Sequence, residues 1–174
     1  MAMDDGAGIS INHVGLTVDD LDKAICFYQE ALSFQLISGP MDIVRDNSYW
    51  GKMALDLCCP RLKGGRFAHL VDERGTGLEL FSFDDPEAGP RELEYWRNGY
   101  FHMCVTAPDV DALVARVEQA GGSRRTRTWE IAPGSSHYLV YCNDPFGNAI
   151  EIYNAPYRTV WGGILATSAV PSSV

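Results

Sequence analysis

An internal repeat constrains this chain more than any other feature. Residues 11–32, INHVGLTVDDLDKAICFYQEAL, superpose on residues 100–121, YFHMCVTAPDVDALVARVEQAG, at an offset of 89. The offset aligns His13 with His102, Thr17 with Thr106, Asp20 with Asp109, Asp22 with Asp111 and Ala31 with Ala120, and it matches Leu21 to Val110 and Ile25 to Val114. Self-similarity at a fixed spacing means one supersecondary unit built twice. In each copy an alternating stretch (11–18 and 100–107) predicts a strand, Asp20 or Asp109 supplies an N-cap, and apolar residues then recur at helical spacing. Leu21, Ala24, Ile25, Tyr28 and Leu32 share one predicted helix face, answered by Val110, Leu113, Val114 and Val117, and Gly121-Gly122 stops the second helix.

Three strand-like runs follow each helix. In the second copy they are 125–131, 137–143 and 149–154, separated by Pro133-Gly134 and by Asp144-Pro145-Phe146-Gly147-Asn148. In the first they are 34–38, 66–71 and 78–83, the last preceded by Glu73-Arg74-Gly75-Thr76-Gly77. The closing strands LELF (78–81) and IEIY (150–153) match at an offset of 72, and the two offsets differ by 17 residues, an insertion within 39–65. The predicted fold is α+β, with two tandem βαβββ modules, 9–83 and 99–155. A linker spans 84–98. A tail, 156–174, mixes Tyr157, Val160, Trp161, Ile164 and Leu165 with Gly and Ser, and its apolar part should pack on a neighbouring subunit or on its own sheet.

Composition narrows the partners. Fourteen Lys and Arg against twenty-three Asp and Glu give a formal charge of −9, which repels nucleic acid and anionic membranes and leaves a small molecule as the expected partner. No apolar run approaches the ~20 residues of a membrane span, and the opening MAMDDGAGIS lacks the pattern of a secretory leader, so the expected location is cytoplasmic. Of the five cysteines, Cys26, Cys104 and Cys142 lie in apolar-periodic segments, which suits reduced thiols behaving as small hydrophobes. The adjacent Cys58 and Cys59 have no second pair at zinc-ribbon spacing and read as ordinary loop or strand residues.

Four polar residues occupy repeated places in apolar strands: His13 and His102 on the first strand of each module, Glu79 and Glu151 on the last. A carboxylate flanked by apolar residues faces either solvent or an inward partner. The recurrence of both residue types in both copies favours the inward reading. Two imidazoles and two carboxylates suit Zn, Ni, Co, Mn or Fe(II), and four protein ligands on a six-coordinate ion leave two sites for a substrate's chelating oxygen pair.

The segments NHVGLTVDDLDKAICFYQEALSF and YLVYCNDPFGNAIEIY resemble the opening and closing segments of the vicinal oxygen chelate superfamily, and the resemblance covers residues 9–155. That superfamily includes glyoxalase I, methylmalonyl-CoA epimerase, extradiol dioxygenases and fosfomycin- and bleomycin-resistance proteins. The resemblance implies that the two βαβββ modules form a curved mixed-sheet cup with helices outside, and it implies His13, Glu79, His102 and Glu151 as metal ligands. It further implies a lyase or isomerase that abstracts a proton beside a metal-bound carbonyl through an enediolate, with Glu151 as base and Glu79 returning the proton or remaining bound. A dioxygenase would use Fe(II) on His13, His102 and Glu151 alone, and Glu79 would fill a site that catechol and O2 need. A binding or resistance protein of the same fold would need no metal. Thr17 stands where glyoxalase I commonly has an arginine for the glutathione carboxylate. The resemblance also implies a homodimer, through exposed sheet edges.

Strand alternation places Gly15 and Thr17 with His13, Cys104 and Thr106 with His102, Gly77 and Phe81 with Glu79, and Ala149 and Tyr153 with Glu151. Of these, Thr17, Phe81, Thr106 and Tyr153 are candidate substrate contacts, with Trp50 (beside Tyr49) as a cap from the insertion. His69 and His137 are expected on middle strands as lesser candidates for the pocket. Arg124, Arg125 and Arg127 read as a solvated strand edge from which one could meet a substrate carboxylate.

Overall fold

A computed structural model describes residues 8–58, 63–84 and 94–167. Cys59, most of the expected linker and the end of the tail lie outside the described residues. In chain order the elements are β1 (His13–Thr17), α1 (Leu21–Leu32), β2 (Gln35–Ile43), α2 (Tyr49–Leu57), β3 (Gly65–Val71), β4 (Gly77–Phe83), β5 (His102–Thr106), α3 (Val110–Gln119), β6 (Ser123–Arg124), β7 (Trp129–Glu130), β8 (Tyr138–Asn143), β9 (Ala149–Tyr153) and α4 (Tyr157–Thr167). Two compact units result: Met1–Ile25 with Phe34–Ala88, and Cys26–Ser33 with Gly89–Val174.

Both units carry the same topology. The first sheet runs β1-β4-β3-β2 and the second β5-β9-β8-β6, with β7 also paired to β8. In each the first strand lies parallel to the last, and the remaining pairs are antiparallel. This is the predicted pair of βαβββ modules with mixed sheets. The helices start as their sequences dictate: Asp109 caps α3 by accepting from the Ala112 N–H, and Asp20 accepts from the Lys23 N–H at the start of α1. Gly121, at φ 93°, takes the left-handed turn that ends the second helix.

The hairpins before β4 and β9 repeat down to single hydrogen bonds. Asp72 Oδ1 accepts from the N–H groups of Arg74 and Thr76, and Asp144 Oδ1 from those of Phe146 and Asn148. Gly75 and Gly147 supply the positive φ that each turn needs. This turn fixes the register that places Glu79 and Glu151, since a slip of one residue would send each carboxylate to the opposite face.

The structure departs from the sequence expectations in several places. The insertion holds a helix, α2, capped by Ser48, whose Oγ accepts from the Gly51 N–H. The second module has only the two-residue strands β6 and β7 where the first has the nine-residue β2. Its Arg124-to-Thr128 stretch is instead turned by side-chain bonds, Arg124 and Thr128 both donating to Asp111. Cys142 is buried, but Cys26 and Cys104 are exposed, Cys26 on the solvent face of α1 and Cys104 on the face of β5 that carries His102. His137 precedes β8 rather than lying on a strand. The tail begins with α4, which buries Val160 completely. Phe27 and Ala31 are as buried as the predicted face of α1, and Tyr28 donates to Asp144 at 3.0 Å within the second unit. There Arg116 caps the C-terminal end of α1 by donating to the Glu30 carbonyl and the Ser33 hydroxyl.

Candidate active site

On β4, Leu78 and Leu80 are buried in the core, so the alternating Glu79 projects from the other face of the sheet. The parallel neighbour β1 brings Gly15 opposite Glu79 and His13 opposite Gly77, while the antiparallel neighbour β3 brings His69 opposite Glu79. The carboxylate is flanked on both sides: His13 Nε2 is 3.3 Å from Oε2, and His69 Nδ1 is 3.4 Å from Oε1. His13 Nδ1 lies 2.9 Å from Asn12 Oδ1. With Nδ1 donating to that oxygen, Nε2 is the nitrogen free to meet Glu79, the arrangement typical of a metal-ligating imidazole. A cavity of about 370 Å³ opens here, with Asn12, His13, Ile37, Ser38, His69 and Glu79 among its walls.

The second module repeats the pairing in a drier setting. Ile150 and Ile152 point into the core, and Glu151 is itself only 7% exposed. His102 Nε2 approaches Glu151 Oε2 at 3.2 Å. Cys104 on β5 and Tyr141 on β8 stand opposite Glu151 in register. Desolvation, followed by hydrogen bonding to Glu151, raises the Tyr141 phenol. Desolvation and the same carboxylate push the Cys104 thiol up to about 12 and raise Tyr153. All three groups keep their protons at neutral pH, so the surroundings of Glu151 offer it donors and no competing anion. The His102 ring packs edge-on against Phe101 and Tyr141, and its buried Nδ1 has no hydrogen-bond partner among the described residues.

The structure thus brings His13 to Glu79 and His102 to Glu151. Among the described residues no three or more His, Cys, Asp or Glu side chains group so as to hold a metal ion. The donor chemistry of each pair nevertheless fits one: ligands ~2.1 Å from an ion lie roughly 3.0 Å apart at right angles and roughly 3.4 Å apart at a tetrahedral angle, and the two N···O separations fall between.

The other candidates are less central. Thr17 and Thr106 are exposed. Phe81 stacks between Phe67 and Phe83, and Tyr153 is buried beside Glu151. Trp50 is 66% exposed on α2, edge-on to Tyr49. Of the arginines, Arg124 is held by Asp111, Arg127 lies over the Trp129 ring, and Arg125 lies over Tyr95, which in turn meets Phe101. Sequence reasoning missed Tyr141. The signal was present, because Tyr141 precedes Glu151 by the same ten residues that separate His69 from Glu79.

The profile of the Glyoxalase/Bleomycin resistance protein/Dioxygenase superfamily matches residues 10–152. A 2-epi-5-epi-valiolone epimerase from Actinomyces sp. is 28% identical over 155 residues, 85% of this chain and 80% of its own. A lactoylglutathione lyase from Pseudomonas putida is 26% identical, covering 81% and 82%. Among solved structures, a glyoxalase family protein from Bacillus cereus aligns at a TM-score of 0.67 with 23% identity, over 87% of this chain and 97% of that one. Likewise, a fosfomycin resistance protein from Listeria monocytogenes aligns at 0.58 with 15% identity, over 90% and 98%. At these identities the solved structures establish a shared fold.

Proposed function

Because the chain belongs to the glyoxalase/bleomycin resistance protein/dioxygenase superfamily, whose profile spans most of its length, we propose that it is a divalent-metal-dependent lyase or isomerase. Its substrate is a small molecule with a chelating oxygen pair, and its reaction removes a proton from the carbon beside a carbonyl. The observation that carries this is the doubled His–Glu pair, at equivalent ladder positions and at ligand-like separations in both modules. An epimerase and a lyase are also the activities for which the two curated relatives are named.

His13, Glu79, His102 and Glu151 would hold the ion, and Zn, Ni, Co and Mn all suit such donors. A bound divalent ion supplies Lewis-acid polarisation of a carbonyl oxygen, which acidifies the neighbouring C–H. Glu79 faces the open cavity with its side chain 27% exposed, whereas the Glu151 side chain is only 9% exposed among donors. This contrast supports Glu79 as the carboxylate that takes the substrate proton and Glu151 as the fixed one, the reverse of the division implied by family resemblance. The phenols of Tyr141 and Tyr153 stay protonated and help to dry the site around Glu151.

Metal analysis of the purified protein, followed by a screen of α-hydroxycarbonyl compounds for C–H exchange in D2O, tests the reading. Glu79→Gln should bind metal more weakly, still load at excess metal and lose exchange, and Glu151→Gln should lose metal. Oxygen uptake with a catechol and Fe(II) would instead make the protein a dioxygenase, and failure to take up any of these metals would make it a binding protein.

We also propose a homodimer. β1 is an outermost strand that exposes Val14 and continues from the exposed Ile9 and Ile11. Light scattering on a sizing column would read its mass.

A further inference from the structure

We propose that His69 and Tyr141 are positioning residues, one per module, that hold Glu79 and Glu151 in the orientation from which each carboxylate meets its histidine. The inference rests on the metal-ligand reading above and deepens it. The two residues occupy the same place in the repeat, since His69 and Tyr141 are separated by 72 residues, as Glu79 and Glu151 are. Each stands directly opposite its glutamate across an antiparallel ladder, β3 to β4 in one unit and β8 to β9 in the other.

The geometry divides the labour at Glu79. Its Oε1 faces His69 at 3.4 Å, which leaves Oε2 to face His13 at 3.3 Å. A glutamate has three rotatable side-chain bonds, and a partner on one oxygen fixes the direction of the other. At Glu151 the carboxylate meets His102 through Oε2, while the Tyr141 ring packs edge-on to the His102 ring at 5.5 Å. The Tyr141 hydroxyl also hydrogen-bonds Glu151, so Tyr141 touches both members of the pair and orients the imidazole as well as the carboxylate.

Packing alone does not call for these residues. The His69 side chain is 32% exposed and makes an edge contact with Phe67 that any ring could make, and Tyr141 is half-buried. A phenylalanine would fill either place. What both residues share, and phenylalanine lacks, is a polar tip that reaches the carboxylate. On the parallel side the modules differ, since Gly15 has no side chain while the Cys104 thiol also reaches Glu151, so the polar position that repeats in both modules is the antiparallel one.

The test is cobalt(II) titration of the metal-free protein, followed by calorimetry and by the visible absorption of the bound ion, on the wild type and on Tyr141→Phe, His69→Leu and His69→Gln. Expected are a 10- to 100-fold loss of cobalt affinity, by the order known for outer-shell partners, and a shifted absorption band in Tyr141→Phe and His69→Leu. The amide of His69→Gln, still a donor, should restore affinity to within a few-fold. The melting temperature of the metal-free variants should match that of the wild type. Wild-type affinity and an unchanged band in Tyr141→Phe and His69→Leu would overturn the positioning role while leaving the ligand assignment standing. A wild-type protein that takes up no cobalt would overturn both.

Discussion

Gly77 stands directly across from His13 in the parallel β1–β4 ladder, and a methyl group added there would come within 2.9 Å of the His13 Cβ. The corresponding residue of the second module, Ala149 opposite His102, already carries that methyl. The two halves of the repeat therefore seat their histidines with different clearances, and the first is the tighter.

Gly77→Ala should displace His13 away from Glu79. The expected result is a loss of metal affinity of about tenfold or more and a destabilisation of about 1–3 kcal/mol from overpacking. Ala149→Gly, which adds no bulk, should cost about 1 kcal/mol of stability and leave metal uptake intact. Isothermal titration and thermal unfolding of the two variants separate the effects.

Asp144 is a buried acceptor on which four hydrogen bonds of the second unit converge. It is 3% exposed and accepts from Tyr28, Phe146, Asn148 and the Asn148 side-chain amide. Tyr28→Phe removes one of these bonds and should cost about 1–2 kcal/mol. Asp144→Ala strands the buried phenol and two turn N–H groups and should cost about 3 kcal/mol or more. Urea unfolding monitored by circular dichroism reads both values, and equal losses would contradict this ranking.

Cys104 is exposed and should nonetheless react slowly. With its pKa pushed up to about 12, only about one thiol in 10,000 is thiolate at pH 8, against roughly a quarter for an ordinary cysteine. Peptide-level mass spectrometry after iodoacetamide treatment should show Cys104 alkylating at least 100-fold more slowly than the exposed Cys26.

The Asp111 carboxyl is lowered below its ordinary 3.8, first by hydrogen bonding to Arg124 and then to Thr128. A folded value below the unfolded one means a stabilisation that is complete above about pH 5 and lost as pH falls through the folded value. Asp111→Asn should therefore flatten the acid limb of stability below pH 4 and change little of its pH dependence at neutral pH. Melting temperatures from pH 2 to 7 check the sign.

If the His–Glu pairs bind metal, zinc at 100 times its dissociation constant should stabilise the wild type by about 2.7 kcal/mol. That increment should vanish in His13→Ala and in Glu151→Gln. An increment equal to that of the wild type in both variants would remove these residues from the ligand set.

The duplication was legible because strands and helices write their periods into sequence, and two copies of the same pattern reinforce each other. His13, Glu79, His102 and Glu151 were legible for the same reason, as polar residues recurring at ladder positions flanked by buried neighbours such as Leu78 and Ile150. The helix at Tyr49–Leu57 was not, because the insertion has no counterpart with which to compare it. Tyr141 was missed because its partner in the repeat is a histidine, so the shared ten-residue spacing to the glutamate did not show as a matched residue type until the ladder pairing set the two side by side.

Helix α1 starts among the residues of the first unit and, from Cys26 to Ser33, is counted with the second. A gene cut at the centre of the repeat would therefore not yield two miniature proteins. The N-terminal fragment would carry Phe27 and Tyr28 with nothing to cover them, and the C-terminal fragment would be left with a gap where Tyr28 meets Asp144.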